Sequence, residues 1–418
     1  MLTTILYNFG IYAYMLGVLI ASIFNRKARL MVKGHLSTFR RLKEEVDPKA
    51  QYIWFHAASL GEFEQGRPLI ERYRSEYPQY KILLTFFSPS GYEVRKNYDG
   101  ADIVCYLPFD TPGNVLSFFS LIHPVALFLI KYEFWCNFLV GCDHEGIPVY
   151  SVSSIFRPEK IFFRWYGKSY ASTLRRRITH FFVQDQQSAD LLRSVDIINN
   201  VTIVGDTRFD RVLDIRKQAK DLPLIEQFRG KNMTFVAGSS WGPDEDLIIP
   251  YFNNHPDLKL ILAPHVIDEE HLRQIENKLH RPSLRYTEVQ SGNANVKDAD
   301  CLIINCFGLL SSIYRYADIA YVGGGFGVGI HNVPEAAVYG VPVLIGPNNQ
   351  GFREAQDLLK LGGCFEITDQ AVFNASVDRL VTEDKYRLRR GAVGRRYIES
   401  NAGAADTIFG KVGVDFHR

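Results

Sequence analysis

A chain of 418 residues is long enough for two domains, each burying its own core. Hydrophobic and charged fractions of 46% and 22% are those of an ordinary globular enzyme and exclude extensive disorder. The net charge of +2 makes no global case for nucleic acid, and the six cysteines form no C-x-x-C pair of the kind that holds zinc or runs redox chemistry.

The N-terminus stands apart. No charged residue occurs from Leu2 to Phe24, a run about long enough to cross a ~30 Å hydrocarbon core. Tyr7, Tyr12 and Tyr14 dilute its hydrophobicity. Arg26, Lys27, Arg29, Lys33, Arg40, Arg41 and Lys43 follow and read as a basic linker. Positive flanks stay in the cytoplasm, so the bulk of the chain is expected there. A cleaved signal peptide fits less well, because the charge follows the apolar run and no A-x-A site is evident. Residues 1–25 are therefore expected to be a membrane anchor, the alternative being an apolar helix packed on the body.

Asp47-Pro48 marks the entry into a first folded domain, expected over 44–213. Strands are expected at Tyr52–His56, Lys81–Phe87, Ile103–Leu107, Val125–Ile130, Pro148–Val152, Phe181–Gln184 and within Asn200–Gly205. Asp206–Arg211 leads into a charged helical connector. A second series then runs through Thr234–Ala237, Lys259–Ala263, Leu302–Ile304, Ile319–Val322 and Val341–Ile345, in a domain expected over 220–400. Strands alternating with helix-length segments indicate parallel sheets covered on both faces. The expected fold is thus α/β: two doubly wound Rossmann-like domains facing a cleft, behind an N-terminal membrane-anchor helix. Asp378–Phe409 is helical in character, and the tail 401–418 is expected to pack back on the first domain.

In open α/β sheets ligands bind beyond the carboxyl ends of the strands, and several motifs fall there. Tyr321–Gln356 is the most telling. An apolar run feeds a glycine cluster, and Asn332, Pro334 and Glu335 open a short alanine-rich helix. Glycines let backbone approach a ligand, a helix start offers free N–H groups to an anion, and Glu335 is placed for ribose hydroxyls. That arrangement grips a nucleotide, and a nucleotide-sugar enzyme leads; glycines serving only packing are the bland alternative. The glycine spacing excludes a dinucleotide fingerprint, and Gly167-Lys168-Ser169 lacks the upstream glycine of a P-loop. Gly238-Ser239-Ser240 before Asp244, Glu245 and Asp246, then Ala263-Pro264-His265, then Asn305–Leu310, occupy three further strand ends.

In the first domain, Glu62 follows a strand through Ala57-Ala58-Ser59-Leu60-Gly61. Either it closes a capping box with Ser59, or it is a carboxylate presented as a general base. Glu133 is either exposed at the cleft or paired with Lys131, and Arg208 either neutralises negative charge or pairs with Asp206 or Asp210. Between Arg157 and Arg177, basic residues interleave with Phe162, Phe163, Trp165, Tyr166 and Tyr170. Such a surface suits anionic headgroups or a phosphorylated lipid, unless it is merely a solvated helix face.

His56–Glu62, Leu107-Pro108-Phe109-Asp110, Tyr132-Glu133-Phe134-Trp135-Cys136-Asn137, Gly205–Asp210 and Gly329–Ala337 together resemble the 3-deoxy-D-manno-octulosonic acid (Kdo) transferases of lipopolysaccharide synthesis, which are GT-B glycosyltransferases. The resemblance spans nearly the whole chain, though its glycine-and-helix part is shared by many GT-B enzymes. It implies inverting transfer of Kdo from CMP-Kdo to a lipid A precursor at the inner face of the bacterial inner membrane. It makes Glu62 the general base, and Glu133 and Arg208 supports of the transition state. It assigns Pro264, His265, Phe307, Gly308, Leu309, Asn332, Val333, Pro334 and Glu335 to CMP. No metal or other cofactor, no nucleic acid and no obligate protein partner is expected. The chain departs from the family pattern at Ser151–Arg157, at Ala263-Pro264-His265, which lacks an arginine often seen before the histidine, and at Leu309, where glutamate is frequent. A GT-B lipid glycosyltransferase using another nucleotide sugar, or a non-catalytic lipid A-binding scaffold, are the competing expectations.

Overall fold

A computed structural model describes residues 2–413; Met1 of the expected anchor and residues 414–418 of the expected tail lie outside the described residues. The chain divides into two units, one holding the residues up to Arg211 together with those from Ala402, the other Val212–Asn401. Each is built on one seven-stranded parallel sheet.

The first sheet comprises β1 (Tyr52–Ala57), β2 (Lys81–Phe86), β3 (Ile103–Tyr106), β4 (Pro124–Ile130), β5 (Val149–Ser154), β6 (His180–Val183) and β7 (Val201–Ile203), in the order β3-β2-β1-β4-β5-β6-β7. Its interior strand β1 is buried along its whole length. Tyr52 and Trp54 enter one core with Leu83, Phe118 and Phe138, while Ile53, Phe55 and Ala57 enter another with Phe63, Tyr73 and Phe128. This period-two split follows from the pleat, and burial on both faces explains why the strand reads as a continuous apolar run. The helix Ala404–Val412 supplies Ala405, Ile408, Phe409 and Val412 to the second of these cores.

The second sheet comprises β8 (Met233–Ser240), β9 (Leu258–Pro264), β10 (Ser283–Arg285), β11 (Cys301–Ile303), β12 (Ile319–Val322), β13 (Val343–Ile345) and β14 (Cys364–Glu366), in the order β10-β11-β9-β8-β12-β13-β14. The edge strands β10 and β14 escape the sequence reading. Each is only three residues long and partly exposed, so neither writes an apolar run.

Ahead of the first sheet, α1 (Leu2–Phe24) and α2 (Arg26–Glu45) meet at Asn25, whose side chain caps α2 through the N–H groups of Lys27 and Ala28. By length and composition Thr4–Phe24 is able to cross a membrane. The basic segment that follows is not a linker. Met31, His35, Thr38 and Leu42 recur at helical spacing and are buried, while Arg26, Lys27, Arg29 and Lys33 stay outside. Thr38 donates to the carbonyl of Tyr106 at 3.0 Å, and Gly34 lies so close to the Tyr106 ring that a Cβ would approach it to 2.2 Å.

Candidate functional site

Strand order reverses between β1 and β4 in the first sheet and between β8 and β12 in the second. At such a switch point the loops diverge from the strand ends and leave room for a ligand. Glu62 and Glu133 flank the first of these points, and the turn after β8 and the glycine loop after β12 flank the second.

In the first unit, Glu62 opens α3 (Leu60–Glu76) just beyond β1, and Glu133 lies just beyond β4. Ser59 is the N-cap but makes no side-chain capping bond, and the Glu62 carboxylate takes the N–H of Ala58 at 2.6 Å. The expected reciprocal box is therefore absent: Glu62 reaches back one residue past the cap and is held in place by backbone. The side chain is 8% exposed. Burial, and then the Glu133 charge, raise its proton affinity; the Ala58 N–H, Lys131 and His56 act the other way.

Glu133 makes its ion-pair-distance contact with His56, Glu133 Oε2 standing 3.8 Å from His56 Nε2. Neither atom has a hydrogen-bond partner among the described residues. The other nitrogen of His56 meets Thr85 Oγ1 at 2.9 Å, which fixes the ring. Lys131 turns the chain at the end of β4 with a positive φ of 66°, and its carbonyl accepts the hydroxyls of Ser151 and Ser154 at 3.2 and 2.6 Å. The segment that departs from the family pattern thus braces the Glu133 loop.

Arg208 is paired: its Nε lies 2.9 Å from Asp206 Oδ2, and its backbone N–H reaches Oδ1 at 2.9 Å. Asp206 also takes Gln65 Nε2 at 3.0 and 3.1 Å, so the Arg208 loop is tied to α3 one turn below Glu62. The arginine side chain remains 46% exposed, so the pairing orients its guanidinium without hiding it. The basic-aromatic stretch divides. Phe162 is core, whereas Trp165 and Tyr166 are exposed at 82% and 61% beside the helix Lys168–Arg177.

In the second unit the four motif-bearing strands β11, β9, β8 and β12 are consecutive neighbours, so their ends form one crest. Trp241, His265 and His331 stack there in sequence, with centroids 4.6 Å and 4.5 Å apart. Trp241 Nε1 donates to His331 Nε2 at 3.3 Å, and burial followed by the neighbouring His265 holds the His331 ring below the usual histidine range. Asp244 is fully buried and accepts from Trp241 N (2.9 Å), Gly324 N (2.9 Å) and the Tyr321 hydroxyl (2.7 Å). What reads as an acidic helix start is thus the clasp joining the β8 end to the glycine loop. That loop is packed backbone to backbone: a Cβ on Gly323 would stand 2.3 Å from the Ser239 carbonyl, and one on Gly325 2.6 Å from Gly346.

The helix Val333–Ala337 follows, with Val333 and Pro334 buried and Glu335 in its first turn receiving Asn332 Nδ2 at 2.7 Å. Pro264 ends β9, and the His265 N–H donates to the Ser240 carbonyl at 2.9 Å. Phe307 (82% exposed), Gly308 (φ 85°) and Leu309 lead into the helix Leu310–Ile313. Trp241 was not singled out by sequence reasoning, and His56, Asp244 and His331 were read only as members of motifs, without roles of their own. For Trp241 a signal existed, an aromatic directly after the Gly238-Ser239-Ser240 turn. Among the described residues no group of three or more His, Cys, Asp or Glu side chains is arranged to hold a metal ion.

Residues 33–211 match the family described as 3-deoxy-D-manno-octulosonic-acid transferase (kdotransferase). A 3-deoxy-D-manno-octulosonic acid transferase of Aquifex aeolicus is 27% identical over 351 residues, covering 82% of this chain and 90% of the relative. One of Haemophilus influenzae is 24% identical over 376 residues, with 86% of each covered. In fold, the chain is similar to UDP-GlcNAc 2-epimerase of Neisseria meningitidis at a TM-score of 0.60, with 14% identity and coverage of 87% and 99%. The chain is a glycosyltransferase with GT-B-type units. Residues 33–211 match the family's domain, and most of the chain is similar to Kdo transferases.

Proposed function

We propose that this chain transfers Kdo from CMP-Kdo to a lipid A precursor with inversion, Glu62 acting as general base. The observation that carries the reading is the environment of Glu62. It is a buried carboxylate at the switch point, locked by the Ala58 N–H, with its proton affinity raised by burial and by Glu133. A base in that state removes a proton from a sugar hydroxyl more readily than an exposed carboxylate does. The acceptor oxygen then forms a bond to the anomeric carbon of Kdo as the bond from that carbon to the CMP phosphate oxygen breaks. The proton stays on Glu62, and CMP departs with the bonding electrons.

Arg208, pre-aimed by Asp206, supplies positive charge that supports the transition state. Backbone N–H groups at the strand-end turns and helix starts of the second unit supply the rest, so that no catalytic metal is required. The Trp241-His265-His331 stack offers an aromatic face for the base, and Glu335 a carboxylate for the ribose. Our reading puts the reaction at the cytoplasmic face of the bacterial inner membrane; the apolar helix Thr4–Phe24 supports the attachment.

Mass spectrometry of products from CMP-Kdo and a lipid A precursor tests the reading. The expected product carries added Kdo with release of CMP. Tight binding of UDP with none of CMP in calorimetric titration would overturn the donor assignment, and absence of turnover despite CMP binding would favour a non-catalytic scaffold.

A further inference from the structure

The two faces of α1 have opposite chemistry. Leu6, Phe9, Leu16, Ile20, Ile23 and Phe24 line one side and are between 54% and 86% exposed. The other side is fastened to the first unit. The Tyr7 hydroxyl donates to Asp110 Oδ2 at 2.6 Å and accepts the Cys136 N–H at 3.1 Å, and Asn8 Oδ1 accepts Asn137 Nδ2 at 2.8 Å. Ile11 is buried, and the Tyr14 ring lies 6.2 Å from Phe87 and 6.3 Å from Phe109. Asp110 is itself buried and fixed by the N–H groups of Asn137 and Phe138, so this is a built seat.

After the extended residue Asn25 the chain returns along α2, and His35 packs on the same Phe109 and Phe87 rings at 4.1 and 5.4 Å. Tyr14 and His35 therefore meet at one place on the unit, and the segment between them is a hairpin with both ends on the same side. The free part of α1, Tyr14 to Phe24, is about 15 Å long, half of a ~30 Å hydrocarbon core. A helix docked through Tyr7 and Tyr14 is too short beyond its seat to cross. Carried apex-first into lipid, the hairpin would also bury Arg26, Lys27 and Arg29, which stand exposed beside Asn25.

Both difficulties vanish if α1 lies flat. We propose that α1 is an interfacial helix. Its exposed stripe rests among the acyl chains of one leaflet, the α2 cations meet anionic headgroups, and the N-terminus stays on the same side of the membrane as the two units. This deepens the membrane attachment proposed above and rests on it.

The test uses the full chain, bearing an N-terminal epitope behind a protease site, in inner-membrane preparations. The expected result is removal of the epitope by added protease in inverted vesicles and its protection in intact spheroplasts. Removal only from the spheroplast exterior overturns the proposal in favour of a span, and protection on both faces overturns the accessible same-side N-terminus that it requires. A second arm floats purified protein with vesicles of phosphatidylglycerol or of phosphatidylcholine. Stronger flotation with phosphatidylglycerol is expected, as is a loss of about tenfold or more in Phe9→Asp and in Ile23→Asp alike, since the whole stripe is immersed. Loss in one variant only contradicts a flat helix. Failure of the parent protein to float with either vesicle overturns membrane attachment itself.

Discussion

The two units use one topology for opposite purposes. At the β1/β4 switch the first unit gathers ionisable groups, Glu62, Glu133, His56 and, through Asp206, Arg208. At the β8/β12 switch the second unit gathers shape: glycines in backbone contact, a three-ring stack, and a buried Asp244 that holds them together. On the proposed function, the first arrangement would tune a proton and the second would fit a flat and charged molecule. A fold with strand ends at a switch point supplies only the place; the side chains there decide the chemistry.

Exchanging charge for shape in each unit should therefore have different signatures. Glu62→Gln is expected to lower turnover by about 10²–10⁴-fold while leaving CMP affinity unchanged, read by product formation and calorimetry. Unchanged turnover would remove Glu62 from the chemistry. The same variant should gain stability relative to the parent as pH rises. The raised proton affinity of folded Glu62 means that folding favours the protonated form. Its stabilising effect is present at low pH and lost as pH climbs through the folded value, whereas glutamine has no proton to lose. Urea melts at several pH values would show the sign.

In the second unit, Asp244→Ala should cost about 2–4 kcal/mol in urea unfolding, because two buried donors and one part-buried donor lose their acceptor at once. Trp241→Ala should weaken CMP binding by about 1–3 kcal/mol with little change in stability, the value of one aromatic stacking partner. A large fall in melting temperature there would make the stack structural. The subtlest effect concerns pH. Glu133→Gln removes a negative neighbour from Glu62, so the acidic limb of the turnover profile should move to lower pH.

What the sequence disclosed follows from length of signal. Long, doubly buried strands such as Pro124–Ile130 announce themselves by apolar runs, and the alternation with helices implies parallel sheets. The three-residue edge strands do not, having neither length nor burial. The α2 helix was masked by its own cations, which outnumber the four buried positions and make an amphipathic helix look like a linker. In the site, residues beside a motif were within reach, but partners were not. That Glu133 faces His56, or that Asp244 clasps Gly324, depends on strand order, which brings together positions some eighty residues apart.

The helix Ala404–Val412 has a consequence for biosynthesis. It completes a core that includes Phe55, Phe63 and Tyr73, yet it is translated after the whole of Val212–Asn401. During synthesis the first unit must therefore wait, with part of its apolar interior uncovered, while the second is made without interruption. A nascent chain halted before Ala404 would hold a finished second unit and an open first one. Holdase binding, proteolysis and aggregation in the cell should fall on the half that is synthesised earliest, the reverse of what order along the messenger suggests.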